Sequence, residues 1–368
     1  MKERNVTKTV VRLVIVHLIT FVAPALSFQL QANSYEGAIQ KARRFMQDSL
    51  KASRIPGASI TVSIKGKVVW SQGFGYADLE QNVPVTPQTK FRVGSVSKPL
   101  TAAALGLLYD EGKINLDTLI QAYVPSFPRK RFPITLRELA GHIAGIRHYR
   151  GEEMLLARRF PSVESGLTIF KDDTLLFEPK THFSYSSYAW NLISAAIEGA
   201  SKEDFLAFMR SRVFQRLGMA NTVPDYTDSI IARRARWYTE DTLKNILNAP
   251  YVDNSYKWAG GGFLSTTDDL VKFGNSMMNA SLLKASTIRM MFTPQKLKNG
   301  TETQYGIGWF IRRDNKQRLV VSHTGGSIGG TAHLLLYPEQ DVVVALLVNS
   351  DSRFIQHAPE IAELFFNP

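Results

Sequence analysis

The sequence predicts a mixed α/β protein of the α+β type. An antiparallel sheet is assembled from strands near both ends of the chain and flanked by helices, with a mainly helical subdomain inserted. Three observations predict this. Two β-rich runs lie between residues 57 and 78, the stretch from Ser95 to about Phe273 is patterned mostly as helix with long polar connections, and short turn-bounded strands return after residue 300. Strands at both ends with helices between them fit one sheet completed by the C-terminal strands.

The elements follow in order. A helix is expected over 35–53, and "GASITVSIKGKVVWSQGFGYAD" (57–78) reads as two strands broken by a hairpin signal at Lys65-Gly66-Lys67. The sheet portion covers about 35–95 and 300–368, and the helical portion about 100–295. "YGIGWFIRRD", "RLVVSHTGG", "GTAHLLLYP" and "DVVVALLVN" are the returning strands, and "FIQHAPEIAELFF" (354–366) is a closing helix. An α/β-hydrolase would alternate strands and helices throughout. No internal repeat or low-complexity linker interrupts the chain.

A chain of 368 residues that is 44% apolar and 21% charged is globular in composition. Its formal charge is +12, part of which comes from Lys2, Arg4, Lys8 and Arg12 at the start. The basic runs "PRKRFP" (128–133) and "ARRAR" (232–236) lack aromatics at stacking spacing, so they read as solvated surface and no nucleic-acid partner is expected. The absence of cysteine excludes disulfides and thiolate metal sites.

Residues 1–27 place basic side chains before the apolar "LVIVHLITFVAPALS" and end in small residues, the pattern of a cleaved signal peptide or an N-terminal anchor. The expected location is therefore export, to the periplasm in a bacterium or to mitochondria in a eukaryote. Membrane association is then expected only through the N-terminus, while self-association stays open. The expected domain is 28–368.

"FRVGSVSKPLTAAALGLLYDEGK" (91–113) carries the first chemistry. Ser95 and Lys98 are three apart and share one face of a helical turn, so the amine reaches the hydroxyl. A serine needs a base to become a nucleophile, and a lysine serves only if burial or nearby cations depress its pKa. Pro99 places the helix start near Ser95 to Ser97. The S-x-x-K pattern is weak by itself. With 28 serines and 20 lysines, roughly 1.5 matches arise by chance. A second copy, Ser281 and Lys284, lies in a polar stretch without an attached apolar helix. The alternative for Ser95 is a helix N-cap.

Two further stretches add to it. "FSYSSYAWNLISAAIE" (183–198) sets Tyr185 just before an amphipathic helix, where a phenol near a lysine cation can have its pKa lowered for proton transfer, or can simply pack or cap. "VVSHTGGSIGG" (320–330) ends a strand in small residues that let a substrate backbone lie along the strand edge, with the Gly326 N–H facing a developing oxyanion.

These three elements in this order, together with "GIRHYRGEE" (145–153) and "NAPYVDNSYKWAGGGFLSTTDDLVKFGNSM" (248–277), resemble the serine β-lactamase-like family. That family includes class C β-lactamases, D-Ala-D-Ala carboxypeptidases and esterases, and the likeness is closest to its mitochondrial serine β-lactamase-like branch and bacterial relatives. The resemblance covers roughly 35 to 365 and implies a β-lactamase/transpeptidase-like fold. It implies Ser95 as acylated nucleophile, Lys98 as partner base and Tyr185 as proton shuttle, with either Lys98 or Tyr185 as the acylation base. The backbone N–H groups of Ser95 and Gly326 are implied as the oxyanion hole. His323, Thr324 and Gly325 stand where many members have Lys-Thr-Gly, which implies that they face the substrate, with His323, mostly neutral near pH 7, attracting a carboxylate less than a lysine would. Where many members have Tyr-x-Asn, this chain has Tyr185-Ser186-Ser187, and the shorter Ser187 hydroxyl does not span the distance of an Asn amide. The implied activity is a serine hydrolase acting on peptide, amide or ester bonds, with a small-molecule or peptide substrate, no cofactor and weak action on β-lactams. A non-catalytic binding or scaffolding member is the alternative.

Other readings are set aside. Gly325-Gly326-Ser327-Ile328-Gly329 matches the G-x-S-x-G elbow, with Asp341 or Asp351 and His357 following, but two strands rather than a helix come next. His142 and His148 lack metal-ligand spacing, and His142 reads as structural. Tyr149, Tyr256, Trp258 and Trp309 read as core aromatics, and the glycines of "WAGGGF" as a turn beside the site.

Overall fold

The computed structural model describes residues 35–366. The expected leader or anchor, 1–27, lies outside the described residues. Among those described, no helix is long and apolar enough to cross a membrane.

Helix α1 (35–52) precedes the hairpin of β1 (Gly57–Ile64) and β2 (Lys67–Asp78), whose turn is Lys65-Gly66, both at positive φ. With β3 (Val83–Pro84), β4 (Phe310–Arg313), β5 (Leu319–Ser327), β6 (Gly330–Tyr337) and β7 (Val342–Val348) they form one seven-stranded sheet ordered β3-β2-β1-β7-β6-β5-β4. Its pairings are antiparallel. The N-terminal hairpin thus joins the C-terminal strands through β1 and β7, from Ala58↔Val348 to Ile64↔Val342.

Both faces of the central strands are covered, which explains why β1 and β7 are buried along their whole lengths. On one face Ala58, Ile60, Val62, Val344 and Leu346 pack with Ala42 and Met46 of α1 and with Ile361 of the closing helix Ala358–Glu363. The other face of β1 is small and polar. Ser59 and Thr61 hydrogen-bond Thr267 at 3.0 and 2.8 Å, and Ser63 donates to Asn275 at 2.7 Å. Each of these buried hydroxyls therefore has a partner on the helix Thr267–Asn279.

The larger core lies on that second face. It is built around α2 (Ser97–Asp110), buried from Ser97 to Leu108, and α3 (Ser187–Ser201), buried from Ser187 to Ile197. Long irregular segments and short helices join them. This part is less purely helical than the sequence predicts. A small sheet of Phe91–Arg92, Phe263–Ser265 and Val223–Pro224, and the hairpin Tyr238–Glu240/Ile246–Asn248, lie within or beside it. Strands of two or three residues are too short to leave an alternating pattern.

Candidate active site

Ser95 occupies the 3₁₀ turn Gly94–Val96 that leads into α2, and it is partly accessible. Neither this turn nor α2 begins with a side-chain cap, so the capping alternative for Ser95 does not apply. Gly94, at φ +48°, makes the turn possible, and a Cβ there would lie 2.6 Å from the Gly326 carbonyl oxygen. A Cβ on Gly325 would lie 1.9 Å from the Val93 carbonyl oxygen and 3.1 Å from the Ser95 nitrogen. The backbone nitrogens of Ser95 and Gly326 are thereby brought to one place. Gly325 is small because the Val93–Ser95 backbone crosses it, not because a substrate does. Gly326 is exposed, and a Cβ there would meet open space.

Lys98 is completely buried. Its Nζ lies 3.0 Å from Ser95 Oγ, 3.0 Å from Ser187 Oγ and 2.7 Å from the Gly260 carbonyl oxygen. Burial, and secondly the charge of Lys257, hold its pKa well below the usual lysine range. Nζ thus has three hydrogen-bond partners, two hydroxyls and one carbonyl.

Tyr185 lies just before α3, whose N-cap is Ser186, with its side chain accepting from the Ala189 N–H at 3.0 Å. Lys98 Nζ is 4.8 Å from the centre of the Tyr185 ring. Loss of water pushes the phenol pKa above its ordinary value, and the hydrogen bond with Ser95 opposes this without cancelling it. The sequence expectation of a lowered phenol pKa is therefore reversed. Burial depresses the lysine and raises the tyrosine together, because it disfavours the charged form of each.

His323 differs from expectation as well. Thr324 and Gly326 are exposed on β5, whereas His323 and Gly325 alternate inward. His323 is 1% exposed, with Nε2 2.9 Å from Tyr305 Oη and Nδ1 2.6 Å from the Thr324 carbonyl oxygen. Burial, and then the Lys98 charge, push its pKa down to about 3. It stands as a neutral wall behind Tyr185, 6.2 Å between ring centres, and does not present a titrating group to a substrate. Among the described residues β5 has no strand partner on the β4 side beyond Ser322, so the edge at 324–326 borders the site.

The structure adds residues that sequence reasoning placed elsewhere. Tyr149 is hydrogen-bonded with Ser187, and His148 Nδ1 accepts from the Ser187 N–H at 3.2 Å. Burial first, then Lys98 and Lys257, bring the His148 pKa down to about 4. Arg147 fastens this loop by donating to Glu153 at 2.7 and 2.9 Å and by pairing with Asp173. His142 is structural as read, its Nδ1 accepting from the Ser186 N–H at 3.0 Å and its ring 4.3 Å from that of Tyr185. Two of the "WAGGGF" glycines, Gly260 and Gly261, lie in the short helix Trp258–Gly261 rather than in a turn, with Gly262 capping its end, and the Gly260 carbonyl accepts from Lys98.

The rival serines fall outside. Ser281 and Lys284 are exposed, and Lys284 Nζ donates to the Asp110 carbonyl. Ser327 leads through a turn directly into β6, Asp351 accepts from the Gly329 N–H, and His357 pairs with Glu360, so no nucleophile elbow forms. Among the described residues no three His, Asp or Glu side chains gather as a metal site.

Residues 42–364 match the beta-lactamase family. The chain belongs to that family. It is 34% identical to the human serine beta-lactamase-like protein LACTB, mitochondrial, over 82% of this chain and 72% of that one. Among solved structures, the octameric penicillin-binding protein homologue from Pyrococcus abyssi is 24% identical, with a TM-score of 0.75 over 88% of this chain and 75% of its own. EstCE1, a hydrolase with promiscuous acyltransferase activity, is 21% identical, with a TM-score of 0.77 over 92% and 100%. The sheet and helices described above are those of penicillin-binding and beta-lactamase-like folds.

Proposed function

We propose that this protein is a serine hydrolase that forms an acyl-enzyme at Ser95 and cleaves peptide, amide or ester bonds, with weak action on β-lactams. The observation that carries the reading is the fully buried Lys98 amine 3.0 Å from Ser95 Oγ, its pKa held well below the lysine range. Such an amine gives up its own proton more readily than an ordinary lysine and so is suited to take one from Ser95. Gly260 O and Ser187 Oγ take two of its contacts, and the third is Ser95 Oγ, from which it would accept the proton in this reading.

In the acylation step Ser95 Oγ bonds to the substrate carbonyl carbon as its proton passes to Lys98. The carbonyl electron pair moves to oxygen, which accepts from the backbone N–H groups of Ser95 and Gly326. Collapse of the adduct breaks the bond to the leaving amine or alcohol, which takes a proton through Tyr185, resupplied by Lys98. The raised Tyr185 pKa suits a protonated donor and supports Lys98 as the acylation base. Water then cleaves the ester by the same route, restoring Ser95.

Weak action on β-lactams follows from Ser187, whose hydroxyl is held by Lys98 and Tyr149, and from the inward, neutral His323. Location outside the cytosol belongs to this reading on the strength of the basic-then-apolar start alone. A fluorophosphonate probe tests the chemistry. Labelling of the wild type, abolished in Ser95→Ala, is the expected result. A wild type that resists the probe would instead favour the binding or scaffolding role.

A further inference from the structure

His142 occupies a backbone position that most often belongs to glycine. The helix Leu136–Ala140 ends at Gly141 in a turn where the Ile143 N–H donates to the Glu138 carbonyl at 3.0 Å and the His142 N–H to the Leu139 carbonyl at 3.2 Å. That pattern calls for a left-handed residue after the cap, and His142 supplies it at φ +60°. Its imidazole adds a second local cost. Burial, and next the Lys98 charge, lower its pKa well below the usual histidine value, so the ring is neutral. Nδ1 accepts from the Ser186 N–H, which puts the ring proton on Nε2, and that buried N–H has no hydrogen-bond partner among the described residues. Two unfavourable features at one buried residue point to a role beyond ending a helix.

The contacts of His142 converge on Tyr185. Its carbonyl accepts from the Ser184 N–H at 2.9 Å and its Nδ1 from the Ser186 N–H at 3.0 Å, so one residue holds the backbone on both sides of the tyrosine. Its ring centre lies 4.3 Å from that of Tyr185, with 36° between the planes. Tyr305, fixed by its hydrogen bond with His323, lies 4.5 Å from the imidazole and restricts its movement. The phenol held in this way is hydrogen-bonded with Ser95.

We propose that His142 is the positioning residue of Tyr185, setting the phenol where it protonates the leaving group. The proposal rests on the acyl-enzyme reading, in which Tyr185 passes that proton. A good leaving group departs without one, so the effect of His142 is confined to substrates whose leaving group is poor. A histidine that served only the fold would change all substrates alike.

The experiment compares kcat/KM for p-nitrophenyl butyrate, whose leaving phenolate needs little protonation, with that for ethyl butyrate, whose leaving alcohol needs a proton. Both deliver the same acyl group to Ser95. Wild type, His142→Gly, His142→Asn, Tyr185→Phe and the double variant His142→Gly/Tyr185→Phe are measured, each with its Tm and its rate of fluorophosphonate labelling. Glycine suits the left-handed backbone and removes only the side chain, whereas asparagine also tolerates that backbone and keeps an acceptor for the Ser186 N–H. In His142→Gly the ethyl ester should lose roughly 30-fold or more and the p-nitrophenyl ester less than about threefold. His142→Asn should recover part of that loss. In the Tyr185→Phe background, removing His142 should lower the ethyl ester rate by no more than about a further threefold, since its effect passes through the missing phenol. Equal losses on both esters in His142→Gly, or an undiminished further loss in the Tyr185→Phe background, overturn the proposal. Should His142→Gly not fold, His142→Asn decides by the same ratio, and failure of both to fold overturns the proposal as well, because His142 then serves the fold as a whole. A wild type that resists the probe, or a Tyr185→Phe that loses both esters alike, defeats the underlying reading. A labelled wild type and a selective Tyr185→Phe beside an unselective His142→Gly defeat only this one.

Discussion

Lys98 Nζ and Ser187 Oγ lie 3.0 Å apart at the buried start of α3, and the same hydroxyl is hydrogen-bonded with Tyr149. The amine is fixed on one side by this contact and on another by the Gly260 carbonyl, which leaves its remaining valence toward Ser95. Ser187→Ala removes one restraint while the other stays. We expect a loss of about 10- to 100-fold in kcat for an uncharged ester, with Ser95 still labelled by fluorophosphonate. Full activity in Ser187→Ala would mean that Gly260 alone positions the amine.

Ser95→Ala and Lys98→Ala should each reduce turnover by several orders of magnitude, and the double variant should be little worse than either, because the two act as one unit. Lys98→Ala also opens a cavity in a buried region and is read together with its Tm. Ser281→Ala should match wild type, since its hydroxyl is exposed and Lys284 is bound to Asp110. An inactive Ser281→Ala would transfer the nucleophile to the second S-x-x-K copy.

Gly325 and Gly326 make opposite demands although they are adjacent. A methyl group on Gly325 strikes the Val93 carbonyl and pushes the Ser95 turn away, while one on Gly326 enters open space. Gly325→Ala should cost several kcal/mol in unfolding experiments and lose probe labelling, whereas Gly326→Ala should unfold within about 1 kcal/mol of wild type. Equal stability of the two would show that β5 does not press on the Ser95 turn.

Much of this arrangement was legible in the sequence, because it rests on local rules. Ser95 and Lys98 are one turn apart, Pro99 marks the start of α2, and alternating strands bracket a helical middle. The remainder depends on contacts between distant segments. Nothing near His323 announces that Tyr305 will hold its ring inward, and nothing in "SYKWAGGG" reveals that Lys257 will be buried among Tyr149, Tyr256 and the Ser95 turn. Tyr185 was found by its position, but the direction of its pKa depends on the water removed around it, which local spacing does not encode.

Burial of neutral histidines makes the fold acid-sensitive. His323 and His148 are pushed down to about 3 and about 4, and His142 and His333 are lowered in the same direction, burial being the first cause in each. In the unfolded chain each takes up a proton near pH 6.5, while the folded protein holds it neutral to much lower pH. The unfolded state therefore binds more protons below pH 6.5, and the stability these residues contribute is fully present above that value. It is lost progressively as pH falls toward the folded-state values. The Tm should fall on the order of 10 °C between pH 7 and pH 5, well before the carboxylates titrate. His323→Gln retains donors and acceptors for Tyr305 and the Thr324 carbonyl but cannot titrate, so its Tm should decline less steeply over the same interval even if it starts lower at pH 7. A decline parallel to that of wild type would show that His323 is protonated in the folded protein at pH 5, contrary to its burial between Tyr305 and the β5 backbone.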